Sequence, residues 1–152
     1  MKRKLVIFIW LAMLLLVVCG VRFAFRKHIL IDAAKGDYLG LPATASNICQ
    51  FYKPFWPAIL IECDIPLTDL TTFCDSNGWK LQRIEKPISV RRFVEPARAL
   101  RVELPDKYSH VPNTIKVRSG MYYISQPKSD EVQTSIFYDA DSGRAYFDIS
   151  GR

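Results

Sequence analysis

The chain has 152 residues, a formal net charge of +6, and four cysteines. Six of its 21 basic residues lie within residues 1–27, where there is no acid, so residues 28–152 hold 15 basic against 15 acidic residues and no net charge. The basic excess belongs to one end of the chain, which argues against a nucleic-acid-binding domain, since that needs its charge on the folded part.

Residues 5–21, from Leu5 through Trp10 to Val21, run for 17 residues without a charge between Lys2, Arg3, Lys4 and Arg22, Arg26, Lys27. As a helix this is about 25 Å long, and snorkelling of Arg22 extends the span to Phe25 and towards the ~30 Å hydrocarbon core. The expected lipid contact is therefore residues 5–25. A cleaved signal peptide is the first competing reading, but CGVRFAFRKH offers no pair of small residues at cleavage spacing. A lipidated Cys19 is the second, and Val18 stands where a lipoprotein box has a small residue. The expectation is an uncleaved signal-anchor over residues 1–27, single-pass in a bacterial inner membrane. The mass of chain behind it favours an extracytoplasmic C-terminal part.

Residues 28–41 are expected to form a juxtamembrane linker, with Ile29, Ile31 and Ala34 carrying the anchor's helical spacing on until Gly36 and Gly40 break it. Pro42 then pushes Leu41 into extended geometry and starts a new chain direction. Residues 42–152 suffice for one domain. Asn47 to Lys53 alternates loosely, and Ala58 to Ile65 alternates well, with Ile59, Ile61, Cys63 and Ile65 facing inward and Glu62 and Asp64 facing solvent. Leu67, Leu70, Phe73 and Cys74 predict one amphipathic helix ending near Asn77, with Gly78 as its left-handed cap. Trp79 to Ile84 reads as a strand. Pro87, Pro96, Pro105 and Pro112 divide residues 85–113 into loops with a short helix or strand, which Val90, Phe93, Val94, Ala97 and Leu100 would line. Ile115 to Ser125 reads as a strand interrupted near Gly120, and residues 135–149 as a hairpin turned by Asp139, Asp141, Ser142 and Gly143. The expected fold class is α+β: a mostly antiparallel sheet with one main helix and a C-terminal β-hairpin.

Chemistry is sparse. The DADSG run places its glycine one residue early for a calcium loop and has Ser150 at the twelfth place, so a turn explains it better than a metal. Outside the anchor the cysteines are Cys49, Cys63 and Cys74, without C-x-x-C spacing. Cys63 could pair with Cys74 or Cys49 in an oxidising compartment, and three inert buried thiols are the alternative. His110 is the domain's sole plausible imidazole, and an atypical enzyme would use it with Asp106 or Arg101. There is no G-x-S-x-G, no phosphate loop and no zinc spacing, so no catalytic, cofactor or metal residue is assigned. Arg91, Arg92, Arg98 and Arg101 form a basic cluster interleaved with Glu95 and Glu103, expected as a solvated face with local pairing. Tyr52, Phe55 and Trp56, in YKPFWP, are the candidate partner-binding patch, with packing of the first strand as the alternative.

The opening LPATASNI (Leu41, Pro42, Ala45, Ser46, Asn47, Ile48) is followed by an aromatic strand and a P-x-x-D-L-x-x-F helix (Pro66, Asp69, Leu70, Phe73). Together with YDADSGRAYF, these motifs resemble uncharacterised bacterial membrane-anchored or lipoprotein domains that open with Leu-Pro-x-Ser-Ala-x-Asn-Ile and end in an aromatic hairpin. The resemblance covers residues 41–79 and 134–149, departs at Thr44 and Ala45, and implies location and fold but no activity. The expected function is a membrane-anchored, non-enzymatic accessory or binding domain facing the periplasm or cell exterior, with a protein or envelope component as partner. A membrane-tethered immunity-type inhibitor of a toxin is the close variant.

Overall fold

A computed structural model describes residues 10, 13–18, 29–31, 40–53, 58–99, 104, 106–126 and 132–150. Of the expected anchor, Leu5 and Val21 lie outside the described residues. Trp10 and residues 13–18 (α1) are helical with exposed side chains. Among the described residues no helix is long and apolar enough to cross a membrane.

The remaining elements are β1 (Ile29–Ile31), β2 (Ser46–Lys53), β3 (Ala58–Asp64), α2 (Leu67–Ser76), β4 (Gln82–Arg83), β5 (Ile88–Arg91), α3 (Val94–Ala99), a 3-10 turn (Asp106–Tyr108), β6 (Thr114–Val117), β7 (Gly120–Ile124), β8 (Gln133–Asp139) and β9 (Arg144–Ser150). Seven strands form one sheet in the order β1-β2-β3-β9-β8-β7-β4, and β5 pairs with β6 in a second, smaller one. Every pairing is antiparallel. The α+β class, the single main helix and the C-terminal hairpin are what the sequence led one to expect.

Alternation decides the faces. Ile61, Cys63, Ile136, Ala145 and Phe147 project to one side, where Leu70 and Cys74 of α2 close over them. Helix α2 holds despite its threonines because Thr71, Thr72 and Ser76 donate their hydroxyls to carbonyls four residues back, which keeps them polar and outward. Leu41 and Ala45 pack on the edge of this core, and the Ala45 amide donates to the Pro42 carbonyl. Leu-Pro thus turns the chain into β2 as read. Gly78 (φ +74°) and Gly143 (φ +69°) take the left-handed conformations expected of them.

The other side of the sheet differs from expectation. Leu60, Cys49 and Phe51 project there, and Phe93, Val94 and Ala97 from the β5–α3 region bury them. Farther along the same side, Phe137 and Tyr146 are covered by Ile84, Val90 and Val117. The described residues of the proline-divided stretch 85–113 therefore build a second covering layer. Pro96 is tolerated in α3 because it sits in the first turn, where its missing N–H has no intrahelical partner to lose. With both faces covered, Glu62 is not at the surface: it is 1% exposed.

Three further expectations change. Ile29–Ile31 continues no helix but forms edge strand β1, with Ile29 opposite Phe51 and Ile31 opposite Cys49. Trp79 to Ile84 is a strand only at Gln82–Arg83. Trp79 and Leu81 serve the α2 face while Ile84 serves the opposite one, so the segment crosses the sheet's edge instead of lying along it. The interruption expected near Gly120 is present, as a break at residues 118–119, but the two pieces, β6 and β7, lie in different sheets.

Candidate functional site

The densest polar chemistry in the described fold lies between the main sheet and its second covering layer, around Glu62. Register sets Cys49 of β2 and Tyr146 of β9 on either side of Glu62, and all three side chains share the covered face. A carboxylate there must be compensated, because transfer from water without partners is prohibitive. Arg92, just past β5, supplies the compensation: its Nε lies 3.1 Å from both Glu62 oxygens and its Nη2 donates to Oε2 at 2.6 Å. The Phe93 amide donates to Oε1 at 3.0 Å. Arg144 approaches from β9, with Nε 3.5 Å from Glu62 Oε2, and its Nη1 donates to Asp64 Oδ1 at 2.6 Å. Asn47, held at φ +48° beside an irregularity in β2, donates to the other Asp64 oxygen. Two carboxylates and two guanidiniums thus balance.

The Cys49 thiol closes one side of this cluster, 3.1 Å from the Tyr108 hydroxyl and 3.8 Å from Arg144 Nη2. The Tyr108 ring meets Phe93 edge-on at 5.2 Å. Burial is the first cause that raises the pKa of Tyr108, followed by its bond with Cys49. Burial likewise raises Tyr146. For Arg144, burial alone would lower the pKa, but the hydrogen bond to Asp64 and the charges of Glu62 and Asp64 outweigh it, so the group stays charged. The arrangement fixes a charged clamp between two layers.

The expected basic cluster is absorbed into this architecture. Arg92 belongs to the clamp. Arg91 donates to Asp148 at 2.8 Å and pairs with Glu95, four residues on, at 3.7 Å. Arg98 donates to the Asn113 side chain and to the carbonyls of Tyr108 and Ser109. The local pairing with Glu95 is present on the exposed side, while Arg92 and Arg98 are struts, because the described residues of 85–113 fold back onto the sheet. Arg101 lies outside the described residues.

His110 is exposed in the turn after Asp106–Tyr108, and Asp106 uses its backbone carbonyl to accept from Ser109. The structure does not bring these residues together with the clamp. Cys49, Cys63 and Cys74 are buried free thiols, and no Cys63–Cys74 or Cys63–Cys49 bridge is formed. Burial pushes Cys63 up to about 12 and Cys74 up to about 11. In the hairpin turn Asp139 accepts from the Asp141 amide and the Ser142 hydroxyl, and Asp141 accepts from Ser119, as turn chemistry requires. Among the described residues no group of acids, histidines and cysteines could hold a metal ion. Of the aromatic patch, Tyr52 lies in β2 opposite Ile59, and Phe55 and Trp56 are outside the described residues. Phe51 is in the core.

Sequence reasoning missed Glu62, Arg92 and Arg144 as a unit. The available signal was an acid in the middle of ILIECDI, directly after three large apolar residues and before a cysteine. Comparison of the chain with protein-family models, with curated proteins and with solved structures finds no match.

Proposed function

We propose that the chain is a membrane-anchored, non-enzymatic accessory domain of a bacterial inner membrane, holding its folded part on the outer side to bind a protein or envelope component. One observation carries the reading: an uncharged run over residues 5–21, flanked by six basic residues, precedes a remainder of zero net charge. The inward-turned polar chemistry of the described fold supports it, since Glu62 is paired with Arg92 and Arg144 between two layers. The partner patch is Tyr52, Phe55 and Trp56, whose aromatic composition suits the centre of an interface.

The test is protease treatment of intact spheroplasts combined with the mass of the mature chain. Digestion of the domain from outside with residues 1–27 retained is the expected result. A full-length chain protected from protease would reverse the orientation, and loss of residues 1–27 would replace the anchor by a cleaved signal.

A further inference from the structure

The two covers of the main sheet carry opposite charge, although residues 28–152 are neutral as a whole. Residues 66–78, which contain α2, hold Asp69 and Asp75 and no base. Residues 85–91 and 114–118, which contain β5 and β6, hold Lys86, Arg91, Lys116 and Arg118 against one acid, Glu85. Alternation turns this charge outward. Ile88, Val90, Ile115 and Val117 face the main sheet, so Ser89, Arg91, Thr114 and Lys116 are left exposed on the far side of the β5–β6 pair. Ser89 lies opposite Lys116 and Arg91 opposite Thr114, while the exposed Lys86 and Arg118 flank the pair Ile88–Val117 at one end. Arg91 is engaged by Asp148 and Glu95. Among the described residues, no ion pair or side-chain hydrogen bond engages Lys86, Lys116 or Arg118. Lys80 and Arg83, also exposed, follow the edge of the main sheet at β4 and lie outside this face.

We infer that the outer β5–β6 face lies against the bilayer, with anionic lipid headgroups as its partner. The inference rests on the anchor proposed above and adds which face of the domain meets the membrane. Proximity favours lipid, because β1 begins at Ile29, two residues after Lys27, and two extended residues span only about 7 Å. A domain held so closely keeps some surface beside the bilayer. Composition favours lipid over an acidic protein, because Ser89, Arg91, Thr114 and Lys116 include no aromatic or large apolar side chain of the kind that centres a protein interface. Attraction to anionic headgroups needs no such anchor, since each exposed Lys or Arg adds to it through the surface potential. The same potential repels Asp69 and Asp75 of the α2 cover, so both covers turn the domain the same way.

The experiment uses the full chain in a Cys19→Ser background, reconstituted in vesicles of phosphatidylcholine with a minor share of phosphatidylglycerol. The buried Cys49, Cys63 and Cys74 leave an introduced surface thiol as the accessible one. A fluorophore is placed at Ser89→Cys on the β5–β6 face or at Thr72→Cys on α2, both exposed. Quenching by a headgroup-level quencher lipid is measured alongside resistance to alkaline carbonate extraction. Carbonate resistance with several-fold stronger quenching at position 89 than at 72 is expected. Equal, weak quenching at both positions in carbonate-resistant protein, or stronger quenching at 72, would overturn the inference and leave the anchor standing. Release by carbonate with no quenching would remove the anchor reading and this inference together. In the triple variant Lys86→Glu, Lys116→Glu, Arg118→Glu, quenching at 89 should fall to the level at 72 without loss of carbonate resistance, and in vesicles of phosphatidylcholine alone the same fall is expected. Undiminished quenching in either case would refute recognition of anionic headgroups by these cations. The double variant Lys80→Glu, Arg83→Glu should leave quenching at 89 unchanged. An equal loss there would assign the effect to net charge and overturn the choice of face.

Discussion

Glu62 shows how strongly one residue's environment depends on the layer above it. With Arg92 and the Phe93 amide as partners its charge is satisfied, and removing one partner of such a buried pair costs about 3–5 kcal/mol. Glu62→Gln should lower stability by that order in denaturant unfolding. A loss below about 1 kcal/mol would mean that the clamp contributes no more than an exposed ion pair. Gln50 presents the reverse case: it is 1% exposed and neither its Nε2 nor its Oε1 has a hydrogen-bond partner. Gln50→Met should therefore stabilise the fold by about 1–3 kcal/mol, since an unpaired buried amide is replaced by a similar apolar shape. The buried thiols carry a pH signature. Cys63 is raised from 9.0 to about 12, so the folded state prefers its protonated form. That contribution is complete below the unfolded pKa and is lost as pH rises from 9 through about 12, so alkaline stability should fall less steeply in Cys63→Ala. Parallel slopes in the two proteins would count against it.

At the scale of elements, Gly120 marks the interruption expected within Ile115 to Ser125. Its φ is +135°, and a Cβ built there would lie 1.9 Å from the Tyr138 carbonyl oxygen, a backbone atom that cannot swing away. Gly120→Ala should cost about 2–4 kcal/mol and loosen the β7–β8 pairing, which amide hydrogen exchange along Met121–Ile124 would report. Wild-type protection in that variant would show that the chain can relax around the site. The break at residues 118–119 lets β6 leave for the covering layer while β7 stays in the main sheet. The glycine marks the interruption in the sequence, but alternation does not tell which sheet each piece joins.

For the molecule as a whole, one sheet carries two separate covers, α2 on one face and the β5–α3–β6 layer on the other. Each cover is too small to bury its own apolar residues without the sheet between them, so the two faces should unfold together. Phe93→Ala, in the second cover, should lose about 3–5 kcal/mol and speed labelling of Cys74 on the opposite face. Unchanged labelling of Cys74 in a destabilised Phe93→Ala protein would show that the covers open independently.

The elements whose instructions are local were legible from the residues alone. The alternation in AILIECD, the 3.6-residue spacing of Leu67, Leu70 and Cys74 with Gly78 behind it, and the DADSG turn each determine their conformation through neighbours in sequence. The charge segregation at residue 27 is likewise a property of the chain, and the anchor proposal stands on it. What only the tertiary structure decided is long-range: that the β5–α3 region folds over the second face of β2 and β3, that Glu62 is consequently buried with Arg92 and Arg144, and that Ile29–Ile31 joins the sheet as its edge. Alternation tells which residues share a face, but not whether that face meets water or a second layer, and burial alone turns an ordinary surface glutamate into the centre of a clamp.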